Sequence, residues 1–141
     1  MASSLQGKTV LVTGAARRVG AAICRRLHAQ GANIAVHYRA SATEAHALET
    51  EFTTKRAGSV ALFQADLLKV PALAGLVKDV VKAFGGLDAL VNNASSFYPT
   101  PVGDITEQAW DDLVGTNLKA PLFLAQAAAR RTRSQDRKSV V

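Results

Sequence analysis

A chain of 141 residues, 48% of them hydrophobic, can bury a real core and fits one domain or most of one. No apolar run approaches the ~20 residues of a membrane span, and the single cysteine, Cys24, excludes an internal disulfide or a thiolate metal cluster. Of the net charge of +6, Arg130, Arg131, Arg133, Arg137 and Lys138 against Asp136 carry +4 and leave +2 elsewhere, without a basic stripe interleaved with aromatics, so neither a membrane nor nucleic acid is an expected partner.

Residues 1–8 hold no apolar signal-peptide core, which makes the cytoplasm the expected location. Residues 9–13 then form a short apolar strand. Val19, Ala22, Ile23, Arg26, Leu27 and Gln30 follow at helical spacing, and Gly31 stops that helix at a C-cap position. Residues 33–38, rich in Ile and Val, are a second strand. Ser41 with Glu44 three residues on has the form of a capping box, opening a helix that runs to about Arg56 before Gly58 breaks it. A third strand over 60–64 precedes a helix over 73–84, with Pro71 near its start and Gly85-Gly86 at its end. The fourth strand is 87–92. After a proline-containing loop, Thr106 caps a long helix to about Arg131. Strands alternating with helices through short connections predict a doubly wound, Rossmann-like parallel sheet with helices on both faces.

Ligands of such sheets bind at the carboxyl ends of the strands, and polar or small residues collect there in this chain. The loop 13–20 carries Gly14, which permits a tight turn, and Gly20, which lets the first helix lie close to the sheet. Arg17, Arg18 and Val19 stand at that helix's N-terminus, where free N–H groups and the positive dipole end suit a phosphate. The second strand ends Tyr38-Arg39-Ala40-Ser41 without an acid; the first carboxylate is Glu44. NAD sites usually place an acid there for the ribose 2′-OH, whereas Arg39 and Ser41 offer a guanidinium and a hydroxyl to a 2′-phosphate, which points to NADPH. His37 is read as a structural, hydrogen-bonded residue at the strand end. Asp66 before Leu67 suits an Asx-turn or N-cap. After the fourth strand, Ala94 and Ser95 allow close backbone approach, Phe97 and Tyr98 supply π-faces, and Pro99 and Pro101 fix the loop's course. Asn117 lies four residues before Pro121, whose missing N–H frees the Asn117 carbonyl or leaves a packing kink. Trp110, Leu113 and Leu118 read as core, Cys24 as a buried structural thiol, and His28 and His46 carry no assigned chemistry.

The ten residues 92–101, Asn-Asn-Ala-Ser-Ser-Phe-Tyr-Pro-Thr-Pro, resemble almost letter for letter the loop of pteridine reductases, a branch of the short-chain dehydrogenase/reductase family. Residues 13–20 resemble that family's Thr-Gly-x-x-x-Gly-x-Gly motif and depart from it at the middle glycine, here Arg18. Pteridine reductases share the departure and use the arginine for the cofactor phosphates and the pterin. The pattern His37-Tyr38-x-x-Ser41 looks like their phosphate clamp. By this resemblance Asp66 bonds the adenine amino group, the Leu67 N–H contacts the ring, and Asn92 and Asn93 support the sheet and contact the ribose. Ser95 replaces the usual glycine as in pteridine reductases, Phe97 sandwiches the pterin against the nicotinamide, and the Asn117 main-chain carbonyl holds a water of the proton relay. The implied substrate contacts are Arg18, Ser95 and Phe97, and the implied reaction is NADPH-dependent reduction of a pterin or dihydrofolate-like ring.

The family's catalytic Tyr-x-x-x-Lys does not occur: neither Tyr38 nor Tyr98 has a lysine four residues later. Residues 137–141 resemble the opening of a fifth strand, so the chain reads as one incomplete domain covering about the first half of the family fold, inactive alone. A catalytically silent dinucleotide-binding module, a remnant that folds only with a partner chain, and a general carbonyl reductase are the alternatives. The long helix is apolar over most of its circumference, and family members pair such helices across subunits, usually as tetramers. With that helix and an open fourth-strand edge, self-association is expected.

Overall fold

The computed structural model describes residues 4–132, and within them four parallel strands form one sheet in the order β3-β2-β1-β4. Alternation along the strands dictates two covered faces. In β1 (Thr9–Val12), Val10 and Val12 join one buried cluster and Leu11 the opposite one; in β2 (Asn33–Tyr38), Ile34 and Val36 oppose Ala35 in the same way. A strand apolar on both sides needs helices above and below it. On the first face α1 (Arg18–Ala29) and α2 (Ala42–Lys55) bring Ala21, Cys24, Ala45, Leu48 and Phe52. On the second, α3 (Val70–Phe84) and α5 (Ala120–Ala129) bring Leu73, Leu76, Val77, Val80, Leu124 and Ala128. Strand β3 (Val60–Gln64) pairs with β2 from Ile34↔Val60 to Tyr38↔Gln64, and β4 (Ala89–Val91) pairs with β1 from Val10↔Ala89 to Val12↔Val91. The strand order therefore reverses between β1 and β4, which opens a crevice at their carboxyl ends.

Element types match the sequence reading, and the departures have local causes. The capping box at Ser41 does not form: Ser41 has φ −82° and ψ 56°, outside the extended geometry of a side-chain cap, and its hydroxyl makes no cap bond. At Thr106 the geometry is extended and Oγ1 accepts the Ala109 N–H at 3.1 Å, opening α4 (Glu107–Val114) as expected. The third helix begins earlier than Leu73, at Val70, with Pro71 in its first turn where no N–H is needed. The fourth strand is shorter than 87–92. Leu87 instead makes an isolated parallel bridge to Thr132, and after Val91 the chain turns, its Val91 carbonyl accepting from Asn93 and Thr13.

The long helix is not continuous. A π-helical turn, Gly115–Lys119, separates α4 from α5, and the Ala120 N–H reaches back five residues to the Gly115 carbonyl. Pro121 cannot donate, so the helix takes up an extra residue just before it. The core assignments of Trp110 and Leu118 fail: they are 63% and 67% exposed, and Leu113 is only half-buried, because Ala109, Ala120, Leu124 and Ala128 take the inward positions. Residues 137–141, expected to open a fifth strand, lie outside the described residues.

A polar cluster closes the end of the first face. His28 is buried and stacks on Phe52 at 4.2 Å, and its Nε2 lies 2.7 Å from Ser59 Oγ. Arg56 Nη1 donates to the His28 carbonyl at 3.2 Å, tying the end of α1 to the end of α2. Burial, then the cations Arg56 and Lys55, push the His28 imidazole below its ordinary value. The folded state therefore holds His28 neutral where the unfolded chain, titrating near 6.5, already binds a proton. His28 thus adds stability that is present above about pH 6.5 and is lost as pH falls from there through the lowered folded value. The urea midpoint should fall as pH drops below about 6.5, and His28→Gln should flatten that dependence; an unchanged slope would refute the assignment.

Candidate functional site

The crevice between β1 and β4 is built on a backbone contact that side chains would forbid. A Cβ on Gly14 would meet Ala94 Cα at 2.9 Å, and one on Gly20 would overlap the Gly14 carbonyl oxygen and come within 2.7 Å of Asn93 Nδ2. Gly14 also needs φ +58°, which disfavours any side chain there. The loop ends are locked together by two polar side chains. Asn93 Nδ2 donates to the carbonyls of Thr13 (3.0 Å) and Gly14 (3.1 Å). The buried Thr13 hydroxyl accepts the N–H groups of Asn93 and Ala94, both at 3.0 Å.

His37 joins this lock from β2. The Gly14 N–H donates to Nδ1 at 3.1 Å, so Nε2 carries the proton and donates to the Ala65 carbonyl at 3.0 Å. Burial pushes the imidazole down, with the Ala65 bond partly opposing, and the ring is a neutral strut between three strand ends. Its reading as structural holds.

Around this lock lies a groove of about 610 Å³. Gly14, Arg17, Arg18, Val19 and Gly20 form one wall, and Tyr38, Arg39 and Ser41 one end. Asp66 and Leu67 lie along the groove, and Asn93, Ala94 and Ser95 form the other wall. Every residue singled out from the sequence for a dinucleotide, except Asn92, thus lines one cavity. The wall of arginines meets the N-terminus of α1, whose first turn carries no acid and whose N–H groups lack helical partners. Arg18 stands at φ +51°, the left-handed region where the family motif has glycine. Gln64 Nε2 donates to the Arg39 carbonyl at 2.9 Å, fixing the backbone from which the exposed Arg39 side chain extends. Asp66 Oδ1 accepts the Leu68 N–H at 3.0 Å in an Asx-turn. Such a groove suits an elongated ligand with phosphates at its Arg-lined wall and a further anion near Arg39 and Ser41.

Three predicted residues lie outside the lining: Asn92, Phe97 and Asn117. Phe97 is 88% exposed on the loop just past Ser95 and Ser96. Asn117, on the π turn, aims its side chain at that loop, with Nδ2 donating to the Ser96 carbonyl (2.8 Å) and Oδ1 accepting the Ser96 N–H (3.0 Å). Sequence reasoning missed the lining by Ala16, His37, Ala40, Leu68, Ser96 and Thr116. Thr116 had no local signal, since a long connection brings it to the groove, whereas Leu68 follows directly on Asp66-Leu67 and is placed by the Asp66 turn. Cys24 is wholly buried, and burial pushes its thiol up to about 12, as fits a structural residue. Among the described residues no group of His, Cys, Asp and Glu could hold a metal ion, and no helix is long and apolar enough to cross a membrane.

Comparison with known proteins agrees with this geometry. The family model for short chain dehydrogenases matches residues 8–141. Pteridine reductase 1 of Leishmania tarentolae is 37% identical, over 97% of this chain and 59% of its own length. A 3-oxoacyl-(acyl-carrier-protein) reductase of Staphylococcus aureus is 39% identical, over 86% of this chain and 49% of its own. Among solved structures, a variant of a Serratia marcescens short-chain dehydrogenase/reductase superposes with a TM-score of 0.86 at 37% identity, covering 91% of this chain and 52% of that one. The chain spans about half the length of the curated relatives it matches.

The lock predicts a specific weakness. Thr13→Val keeps the shape of the side chain but leaves the Ala94 N–H without its acceptor and the Asn93 N–H with the Val91 carbonyl alone. With one donor orphaned, the loss is about 1–3 kcal/mol. Denaturant unfolding checks this, and a change under about 0.5 kcal/mol would show that the hydroxyl does not hold the junction.

Proposed function

The chain belongs to the short-chain dehydrogenase/reductase family, and from that premise we propose that it is the nucleotide-binding part of an NADPH-dependent reductase acting on a pterin or dihydrofolate-like ring. The observation that carries the cofactor is the end of β2, where Arg39 and Ser41 line the groove and no acid does. The glycine-lined approach of Gly14 to Ala94 and the guanidinium groups of Arg17 and Arg18 fit the pyrophosphate of such a cofactor. Asp66 and the Leu67 N–H would hold the adenine, and Asn93 and Ala94 the ribose. When bound, NADPH supplies a hydride to the substrate ring. On the chain's side, Arg18, Ser95 and Phe97 orient that ring, and the main-chain carbonyl of Asn117 holds a relay water. The likeness to a pteridine reductase and the Ser95–Phe97 loop favour a pterin; the comparable identity to a 3-oxoacyl-(acyl-carrier-protein) reductase keeps a carbonyl reductase as the second reading. No Tyr-x-x-x-Lys occurs in the 141 residues, so this chain's share of the reaction is binding and orientation.

The test is a titration of the chain with each nucleotide. A charge-assisted contact to the 2′-phosphate contributes roughly 1.5–3 kcal/mol, so NADPH should bind about tenfold or more tightly than NADH. Arg39→Asp should reverse the order. Equal affinities would sink the cofactor assignment, and a NADPH complex that then takes no pterin would favour the carbonyl-reductase reading.

We also place an oligomer, a tetramer in the whole protein, on the outer face of α4 and α5. Trp110, Leu118 and Leu122 are each more than 60% exposed there. Light scattering should show a mass above one chain that Leu118→Glu with Leu122→Glu lowers. A monomer at all concentrations would contradict it.

A further inference from the structure

Phe97 presents a problem of positioning. Its ring is 88% exposed, so packing does little to aim it, and its direction has to come from the backbone that carries it. That backbone is held on both sides. On the N-terminal side the Ser96 N–H and carbonyl are both engaged by the Asn117 side chain. On the C-terminal side the Tyr98 hydroxyl donates to Asp112 Oδ2 on α4 at 3.2 Å, and Pro99 restricts the Tyr98 backbone to extended conformations. Desolvation, and then the contact with Asp112, raise the Tyr98 phenol above its ordinary value, which keeps the hydroxyl a donor. Phe97 is thus the one residue between two tethers that run to the same irregular helix, one from its π turn and one from α4.

We propose that Asp112, acting through Tyr98, is a positioning residue that aims the Phe97 ring over the mouth of the groove for a flat heteroaromatic substrate. The proposal rests on the reading of the groove as a site for NADPH and a pterin-like ring. Asp112 touches neither ligand. It stops the loop from swinging away from Ser95, so the aromatic face is in place before the substrate arrives and less order is lost on binding.

The experiment titrates the chain, saturated with NADPH, with folic acid as the probe. Tyr98→Phe removes only the hydroxyl, and Asp112→Ala removes the acceptor at a helix position that tolerates alanine. Each should weaken folic acid about threefold to tenfold, the effect of one solvent-touching hydrogen bond. The double variant should be no worse than either single change, and NADPH affinity should stay within about twofold of the parent, since neither residue lines the groove. Asp112→Asn keeps an acceptor oxygen and should restore most of the affinity. A second measurement needs no ligand: the ¹⁵N order parameter of the Phe97 amide should fall in Tyr98→Phe and in Asp112→Ala. If the parent binds NADPH but no folic acid, the pterin reading has failed, and the order parameter alone decides the tether. Unchanged folic acid affinity in both single variants, or an unchanged order parameter, overturns the positioning role.

Discussion

The contact of two backbones at the carboxyl ends of β1 and β4 is the constraint on which the groove depends. Gly14 lies against Ala94 and Gly20 against Gly14, at separations that leave no room for a β-carbon. Bringing bare peptide groups that close exposes donors and acceptors to burial, and each needs a partner. Thr13 and Asn93 provide them within the same few residues, and His37 takes the remaining Gly14 N–H. Sheet order, glycine placement and polar satisfaction therefore support one another. The start of α1 is held above the point where strand order reverses, which is where an open α/β sheet binds its ligand.

The charge of this groove is carried chiefly by guanidinium groups. Arg17, Arg18 and Arg39 line it, and Asp66 is the one carboxylate among its lining residues, already turned to the Leu68 N–H. His37 could have added a pH-dependent charge, but a buried ring accepting from Gly14 is kept neutral. Arg18 supplies part of the groove's charge at a conformational cost: a left-handed non-glycine residue is less stable by roughly 1–2 kcal/mol. A glycine would relax that strain and lose a guanidinium at the phosphate wall.

Much of this was legible in the sequence, for reasons that differ by residue. Strands 33–38 and 60–64 were read to the residue because apolar runs ended in polar loops on both sides. The groove wall was legible because each of its residues sits directly after a strand, where position along the chain fixes position in space. Capping was less secure. Ser41 and Thr106 look alike as letters, yet only Thr106 has the extended backbone that lets its oxygen reach back. Trp110 and Leu118 were misread because small residues, Ala109, Gly115 and Ala120, take the inward face around them. Thr116 was invisible, since its place at the groove is set by tertiary packing.

The π turn explains how one helix meets the groove and its neighbouring loops with three consecutive residues. In a regular α-helix, neighbours are about 100° apart, so Gly115, Thr116 and Asn117 would diverge over more than half the circumference. Here all three meet the site: Gly115 lies close against Leu68, Thr116 lines the groove, and Asn117 holds Ser96. Inserting one residue widens the turn and lets successive side chains share a side. Pro121 makes that insertion economical, because a helix that lacks the donor at 121 loses an ordinary bond whichever register it keeps. An irregularity that weakens the helix as a helix is therefore what joins the two walls of the groove to a single rigid element, and the aromatic loop at its mouth is fastened to that same element.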